Sequence, residues 1–509
     1  MSALGLFTIR QLLFEGDLDP DHNAIECPGY GPLTYRDLRL QVSTVVKALN
    51  VGGFHRNDRI AVITPGGPET AVIILSVMAG FTCIPLNPQY KKEEYETYFS
   101  DLAVQAVIVQ EGCDTAARTV AGSHNIPVIE LIPIPGKAGR FFLTLPALQE
   151  IKEPEFAISS DIAYVLLTSG TTAMSKIVPV TQKQSCQSKQ KTCQILQLSC
   201  EDRCLHILPY YHGMGIGTAL LSTLIAGGTV ICTRDFIPSD FSELLKTCRP
   251  THYSAGPALH QAILKKIRTI PREDLAENSL RFIRSTSGAL PQGVRQGLEQ
   301  ALGVPVIDSF GMSEAGTIAI NIPPKNGSVG IPIVDSLRII DETGVTLSTG
   351  CCGEIAIKGE TVFSGYENAP DENKTAFLDG WFRTGDLGYI DDEGYLFISG
   401  RKKEMINKGG EKISPLEVDR VLMSHPLVRD AMCFPVEDTV LGEDIEGMVV
   451  PADPQLTEEE LRSFLLDRLV QFKIPRRICF VDAIPRNPTG KPLRHVGTER
   501  YSWGTGNSY

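Results

Sequence analysis

Paired metal-binding cysteines are missing from this chain of 509 residues: no C-x-x-C occurs among its 13 cysteines, and no H-E-x-x-H accompanies them. Zinc sites draw on such tightly spaced ligands, so the common zinc frameworks are excluded. The odd cysteine count, scattered from Cys27 to Cys479, reads as reduced thiols in a cytoplasmic protein. Cys186, Cys193 and Cys200 recur every seven residues, which predicts one helix face carrying buried thiols packed as small apolar groups. Long apolar runs are lacking as well. The longest, Ala71 to Leu86, has 16 residues and is interrupted by Gly80, Thr82 and Pro85. That is too short for a membrane span and predicts a buried helix turning into a strand. No long basic block occurs, and 48 Lys and Arg against 60 Asp and Glu leave a net charge of −12. This argues against a general nucleic-acid or anionic-membrane binder, while small anions can still be held by local donors. Arg10 follows Leu4, Leu6 and Phe7, and the last residues, Asn507-Ser508-Tyr509, match no peroxisomal address. The expectation is a soluble cytoplasmic protein without a signal peptide.

What is present is an ordinary globular composition, 42% hydrophobic and 21% charged. No internal repeat or low-complexity tract occurs. Over the first 400 residues or so, short Val/Ile/Leu-rich runs such as Arg59–Ile63, Ala106–Val109 and Gly228–Cys232 alternate with amphipathic stretches, the pattern of helices layered on mostly parallel sheets. Helix starts are legible at Thr181-x-x-Gln184 and Thr457-x-x-Glu460, both of capping-box form, and at Ser414-Pro-Leu-Glu417, with Ser414 as the cap, proline at the first helical position and Glu417 three residues after the cap. Glycine, charge and turn residues concentrate between Asp386 and Ser414, and about a hundred residues with their own α+β pattern follow. A domain boundary is expected near Arg401 to Lys403.

Four segments carry chemistry. Val165 to Val178 reads as strand, hydroxyl-rich turn, lysine and strand, with Thr168, Ser169, Gly170, Thr171, Thr172 and Lys176 offering donors to one anion. That is a phosphate cradle, though not of the Walker form. Asp308-Ser-Phe-Gly-Met-Ser-Glu314 follows an apolar run and supplies a ring, a hydroxyl and a carboxylate. Trp381-Phe-Arg-Thr-Gly-Asp386 ends on an acid suited to a sugar diol. Pro485-Arg-Asn-Pro-Thr-Gly-Lys491 presents a lysine on a Pro/Gly-rich loop.

Taken in this order, from about Leu33 to Arg494, these segments together with Gly400-Arg401 resemble the adenylate-forming superfamily of acyl-CoA synthetases, peptide-synthetase adenylation domains and firefly luciferase. More narrowly the chain is similar to the 4-coumarate–CoA ligase group and to oxalate–CoA ligases, through Leu280-Arg-Phe-Ile-Arg-Ser285, Thr251-His-Tyr-Ser-Ala-Gly-Pro257 and Asn407-Lys-Gly-Gly-Glu-Lys-Ile-Ser-Pro415. The resemblance implies an α/β fold with a large N-terminal AMP-binding domain, residues 1–402, made of mixed sheets layered with helices plus a small β-barrel-like part. A small mobile α+β C-terminal domain, 403–509, would carry a catalytic lysine. It implies ATP-dependent activation of a small carboxylic acid to acyl-adenylate, then transfer to the thiol of coenzyme A, with Mg²⁺ assisting.

Roles follow from the same resemblance. Thr168, Ser169, Gly170, Thr171, Thr172 and Lys176 would hold the β- and γ-phosphates, Ser313 the α-phosphate, and Glu314 the Mg²⁺. Phe310, where the family usually has Tyr, would stack on adenine within the nucleotide-binding run Asp308, Ser309, Phe310, Gly311, Met312. Asp386 and Arg401 would bind the ribose, while Ser287, Gly288 and Ala289 wall nucleotide from acyl group. Lys491 would neutralise charge developing on the α-phosphate. His212, in Pro209-Tyr-Tyr-His-Gly213, would lie beside the acyl carboxylate. Tyr211, Tyr253, Ser254, Gly256, Ser285, Thr286, Gly288 and Thr317 would line a pocket for a small, polar or aromatic acid. Lys403 would be the hinge, and Gly409 and Gly410 would border the thiol path.

The phosphate loop departs from the family's Thr-Gly-x-Pro-Lys-Gly, reading Thr172-Ala-Met-Ser-Lys-Ile177; weaker ATP binding is one expectation, a degenerate nucleotide-binding pseudoenzyme another. An adenylating enzyme loading a separate carrier protein's phosphopantetheine is a further alternative. A dinucleotide site at Gly213-Met-Gly-Ile-Gly217 lacks its third glycine, which falls at Thr218, and a serine hydrolase lacks G-x-S-x-G.

Overall fold

The computed structural model describes residues 5–145, 153–168, 176–271, 275, 277–487 and 490–501. Two large sheets form the bulk of the N-terminal domain. The first has seven strands in the order Phe141–Leu143, Val128–Pro133, Ala106–Gln110, Arg59–Ile63, Thr82–Pro85, Ile162–Thr168, Lys176–Thr181. It is parallel except where its two edge strands turn back antiparallel. The second has nine strands, with a parallel centre running from Asn23–Glu26 through Thr229–Cys232, Arg203–His206, His252–Ala255 and Phe282–Ser285 to Val306–Met312.

Parallel strands need crossovers, and the crossover helices cover both faces, so the strands are nearly uniformly apolar. The helix Pro68–Gly80 shows what that costs in polarity: every residue is buried, and the chain passes straight into the strand Thr82–Pro85. The expected helix-to-strand transition across Ala71–Leu86 is therefore present. In the helix Gln182–Leu196, Thr181 and Gln184 form the reciprocal capping box, and Thr457 with Glu460 does the same for Glu458–Leu466. At Ser414 the reading needs correction. Pro415 does open the helix Pro415–Met423, but the Ser414 hydroxyl donates to the Ser399 carbonyl at 2.6 Å instead of capping the helix. Cys200 also departs from expectation: Cys186 and Cys193 are buried on the helix, whereas Cys200 lies beyond its end and is exposed.

A five-stranded antiparallel sheet, built from Ser336–Ile340, Gly353–Lys358, Phe377–Leu378, Trp381–Ile390 and Leu396–Arg401, completes the large domain. The small C-terminal domain has its own five-stranded sheet, whose long antiparallel pair Val428–Asp438 and Gly442–Pro451 is backed by the helices Pro415–Met423 and Arg494–Tyr501. Its core, including Ile406, Val418, Leu422, Ile445, Val449 and Leu461, is separate from those of the large domain. Among the described residues no helix is long and apolar enough to cross a membrane.

Candidate active site

Open α/β sheets leave a crevice beyond the carboxyl ends of their parallel strands. Here that crevice opens into a cleft of about 800 Å³, to which both large sheets, the antiparallel sheet and the small domain contribute.

The paired strands Ile162–Thr168 and Lys176–Thr181 reach it from the seven-stranded sheet. Thr168 and Lys176 face each other across the antiparallel pair and both line the cleft; Ser169, Gly170, Thr171 and Thr172 lie outside the described residues. The Lys176 ammonium sits 4.3 Å from the centre of the Tyr366 ring. Burial, then the neighbouring Lys403 charge, lowers its pKa, with Glu314 opposing.

The strand Val306–Met312 brings Ser309, Phe310, Gly311 and Met312 to the cleft, with Ser313 and Glu314 just beyond. It leaves the parallel sheet after Asp308 and turns into an antiparallel pair with Gly316–Ile320, its register shifting between Phe310 and Gly311. A side chain at 311 would stand 2.4 Å from the Gly316 carbonyl oxygen, so only glycine permits this approach. Glu314 is 6% exposed and accepts a 2.8 Å hydrogen bond from the Tyr366 hydroxyl. Burial raises its pKa, while Tyr366, Arg401 and Lys176 hold it down.

Asp386 and Arg401 are register partners on adjacent strands, joined at 2.8 Å. Asp386 is buried, and its Oδ2 has no partner among the described residues; burial raises its pKa against the pull of Arg401 and Lys491. Lys491 comes from the small domain, which touches the large one here: a Cβ on Gly490 would lie 3.0 Å from Ala258 Cβ, and Gln261 donates to the Arg429 carbonyl at 3.0 Å. Its ammonium is 3.5 Å from Glu404, and burial followed by the Arg401 charge lowers its pKa. His212 lines the cleft with Nε2 buried and unpartnered, and burial lowers its pKa to about 4, so it is neutral at pH 7. Lys403 lines the cleft from the 3₁₀ turn Lys402–Glu404.

Several expected residues stand elsewhere. The Asp308 carboxylate is taken by Arg295 of the helix Gln292–Leu302 and does not line the cleft. Tyr253 is fully buried against Phe241 and His260, because strand alternation turns it toward the covering helices. Ser254 and Ser285 are buried outside the lining, and Gly256 caps the helix Pro257–Ile267. Tyr211, Thr286 and Thr317 do line it. Ser287, at φ +70°, reaches the cleft with its hydroxyl 2.9 Å from Met214 Sδ, but Gly288 and Ala289 continue the exposed loop away from it. Gly409 and Gly410 form the turn of the small-domain hairpin Ile406–Ile413, outside the lining, with φ of +60° and +96°.

Three charged residues went unread in the sequence. Glu404 pairs with both Lys491 and Arg494, the latter at 3.1 Å. Lys189 and Arg284, 4% and 2% exposed, also line the cleft. Arg284 sits inside the Leu280–Ser285 segment that carries part of the resemblance, but nothing local marks its side chain as facing a cleft.

A deep cleft that gathers a lysine from a hydroxyl-rich hairpin, a buried acid, an arginine and a lysine delivered by a small docked domain suits a class: nucleotide-using enzymes that activate an acid by adenylation. Comparison with known proteins gives the family. A profile of the AMP-binding enzyme family matches residues 16–367, and one of the AMP-binding enzyme C-terminal domain matches 417–491; the chain belongs to that family. A probable CoA ligase from Humulus lupulus is 36% identical over 499 residues, covering 94% of each chain. An oxalate–CoA ligase from Arabidopsis thaliana is 33% identical, covering 95% of this chain and 96% of that one. Among solved structures, ATP-bound MatB from Rhodopseudomonas palustris superposes with a TM-score of 0.87 at 28% identity, over 97% of this chain and 99% of its own. The o-succinylbenzoate CoA synthetase of Bacillus subtilis, in complex with its acyl-adenylate, gives 0.81 at 25% identity over 96% and 97%. The protein is an AMP-forming acid–thiol ligase: ATP activates a carboxylic acid to the acyl-adenylate, and coenzyme A then takes the acyl group as a thioester.

Proposed function

We propose that the cleft carries out both half-reactions with a division of labour set by its charges. In the first, a carboxylate oxygen of the acid bonds to the α-phosphorus of ATP, the bond to the bridging oxygen breaks, and pyrophosphate leaves. Two anions must meet, so positive charge has to be in place beforehand. The observation that carries this reading is the convergence of Lys491, Lys176 and Arg401 with the buried acid Glu314 on one cleft, while Asp386, outside the lining, holds Arg401 from behind.

Lys491 stabilises the α-phosphate and Lys176 with Thr168 the outer phosphates. The unpartnered Asp386 Oδ2 accepts from a ribose hydroxyl, Phe310 stacks on adenine, and Ser313 bonds the α-phosphate. Neutral His212 lies beside the reacting carboxylate, where an uncharged imidazole positions it without quenching its nucleophilicity. Mg²⁺ fits the donor set: one buried carboxylate, Glu314, lines the cleft within the field of Lys176. Magnesium commonly combines one or two carboxylates with substrate phosphates and water in this way, and it would supply charge neutralisation on the pyrophosphate.

In the second half-reaction the thiol sulfur bonds to the acyl carbon, AMP leaves, and the thiol proton is lost to solvent or base. Lys491 is not needed then. A hinge at Lys403, between a domain of residues 1–402 and one of 403–509, would rotate Lys491 out and bring the Gly409-Gly410 turn in to border the thiol path. Thirteen unpaired cysteines suit a reducing compartment, and we place the enzyme in the cytoplasm.

Relatives named for oxalate, sulfoacetate and 2-succinylbenzoate support a short polar acid. ATP–pyrophosphate exchange with a panel of acids tests this, followed by thioester formation with coenzyme A against a pantetheinylated carrier protein. Exchange with short polar acids and thioester formation with free coenzyme A are expected. Exchange with long-chain fatty acids alone would overturn the reading.

A further inference from the structure

Lys189 and Arg284 are both buried, both line the cleft, and neither has an ion-pair partner among the described residues. Arg284 donates from Nε to Ser309 at 2.9 Å and from Nη2 to Thr317 at 3.2 Å, leaving Nη1 buried and unpartnered. The Lys189 ammonium reaches only the Ser188 hydroxyl, at 3.5 Å. The 169–175 segment, outside the described residues, contains no acid that could serve them. Two buried like charges without a counter-ion repel and are costly, so a fold that keeps them needs an anion from elsewhere.

The fold also makes room for them. Gly217, in the π-helical turn Met214–Leu221, would carry a Cβ 2.4 Å from Lys189 Cε and 2.8 Å from its Nζ; a Cβ on Gly316 would come within 3.2 Å of the same nitrogen. The glycine run that failed as a dinucleotide motif thus has a local use. The lining also carries Thr218, next to Gly217, Thr286, two residues after Arg284, and Thr317, which accepts from Arg284; Lys176 faces Tyr366 and Glu314 instead.

We propose that Lys189 and Arg284 form a receptor for a second carboxylate on the acyl substrate, so that the enzyme selects short dicarboxylic acids. The inference rests on the acid–thiol ligase reading and narrows it. Its test compares acids with isosteric amides that lack the second charge: oxalate with oxamate, malonate with malonamate, succinate with succinamate, in ATP–pyrophosphate exchange. For at least one pair the diacid should be preferred by about 10²-fold or more in kcat/KM, since an unfilled site leaves buried charges unpaired. Lys189→Met should erase that preference through KM for the diacid and leave the amide unchanged or improved. Gly217→Ala, which crowds the Lys189 head without removing its charge, should act in the same direction. Amides used as well as diacids, or equal losses for both in Lys189→Met, would overturn the proposal while leaving the ligase intact. Amide turnover that depends on added chloride or inorganic phosphate would make an inorganic anion the occupant and also overturn it. No exchange with any acid would instead bring down the ligase reading itself.

Discussion

Replacing Lys189 by methionine removes a buried cation whose cost can be worked out. Burial, reinforced by the Arg284 charge and partly offset by Cys193, lowers the Lys189 pKa from the ordinary 10.5 to about 8. Each pH unit of that gap corresponds to about 1.4 kcal/mol, so the charged side chain costs the folded protein up to about 3 kcal/mol at pH 7. Lys189→Met keeps the length and drops the charge, and should therefore stabilise the unliganded protein. With unfolding entropy scaling as chain length, the large domain should melt about 3–4 °C higher. The pH dependence is diagnostic. Between about pH 8 and 10.5 the unfolded chain holds this proton and the folded protein does not, so wild-type stability rises relative to the variant across that window. Below pH 8 both states carry the charge, and the variant's advantage is full and flat. Thermal melts of both proteins at one scan rate, from pH 6.5 to 10.5, measure the difference. A variant that melts lower at pH 7, or a gap that does not narrow above pH 8, would refute the reasoning.

Lys491→Ala should lower adenylation by about 10²–10³ and leave thioester formation from preformed acyl-adenylate near normal; equal damage to both, measured separately, would mark the lysine as structural. Lys403→Pro fixes φ in the turn Lys402–Glu404, where we place the hinge, so pyrophosphate exchange should persist while thioester formation slows severely, as single-turnover assays would read. Because burial holds His212 near pKa 4, the pH profile of kcat/KM for adenylation should show no inflection near 6.5 that His212→Asn removes. Arg494→Met strands the buried Asp419, paired at 2.7 Å, and should destabilise the small domain by about 3 kcal/mol, seen as faster hydrogen exchange in the strand Val428–Asp438.

Much of this protein was legible because its information is local. A capping box lies within four residues, and the Thr181 and Thr457 boxes form as written; strand runs such as Arg59–Ile63 declare themselves by composition. The residues that reach the cleft from short motifs, Glu314, Arg401 and Lys491, were likewise nameable from their segments. Ser414 failed because a carbonyl from another strand, Ser399, competed for its hydroxyl. What only the tertiary structure decided is where side chains point and what meets across distance. Tyr211 and Tyr253 are equally aromatic in sequence, yet strand alternation buries Tyr253 under the covering helices, while Tyr211, in the turn after the strand Arg203–His206, lines the cleft. Asp308 was given to a helix arginine, and Glu404 to a lysine 87 residues further on. Lys189, Gly217, Arg284 and Gly316 come from four separate segments, and nothing within any one of them says that a cation will be buried without a partner. Burial and electrostatics are properties of the assembled surroundings, so the sequence determined the elements and the family chemistry, and packing decided that Lys189 and Arg284 meet, buried, in the cleft.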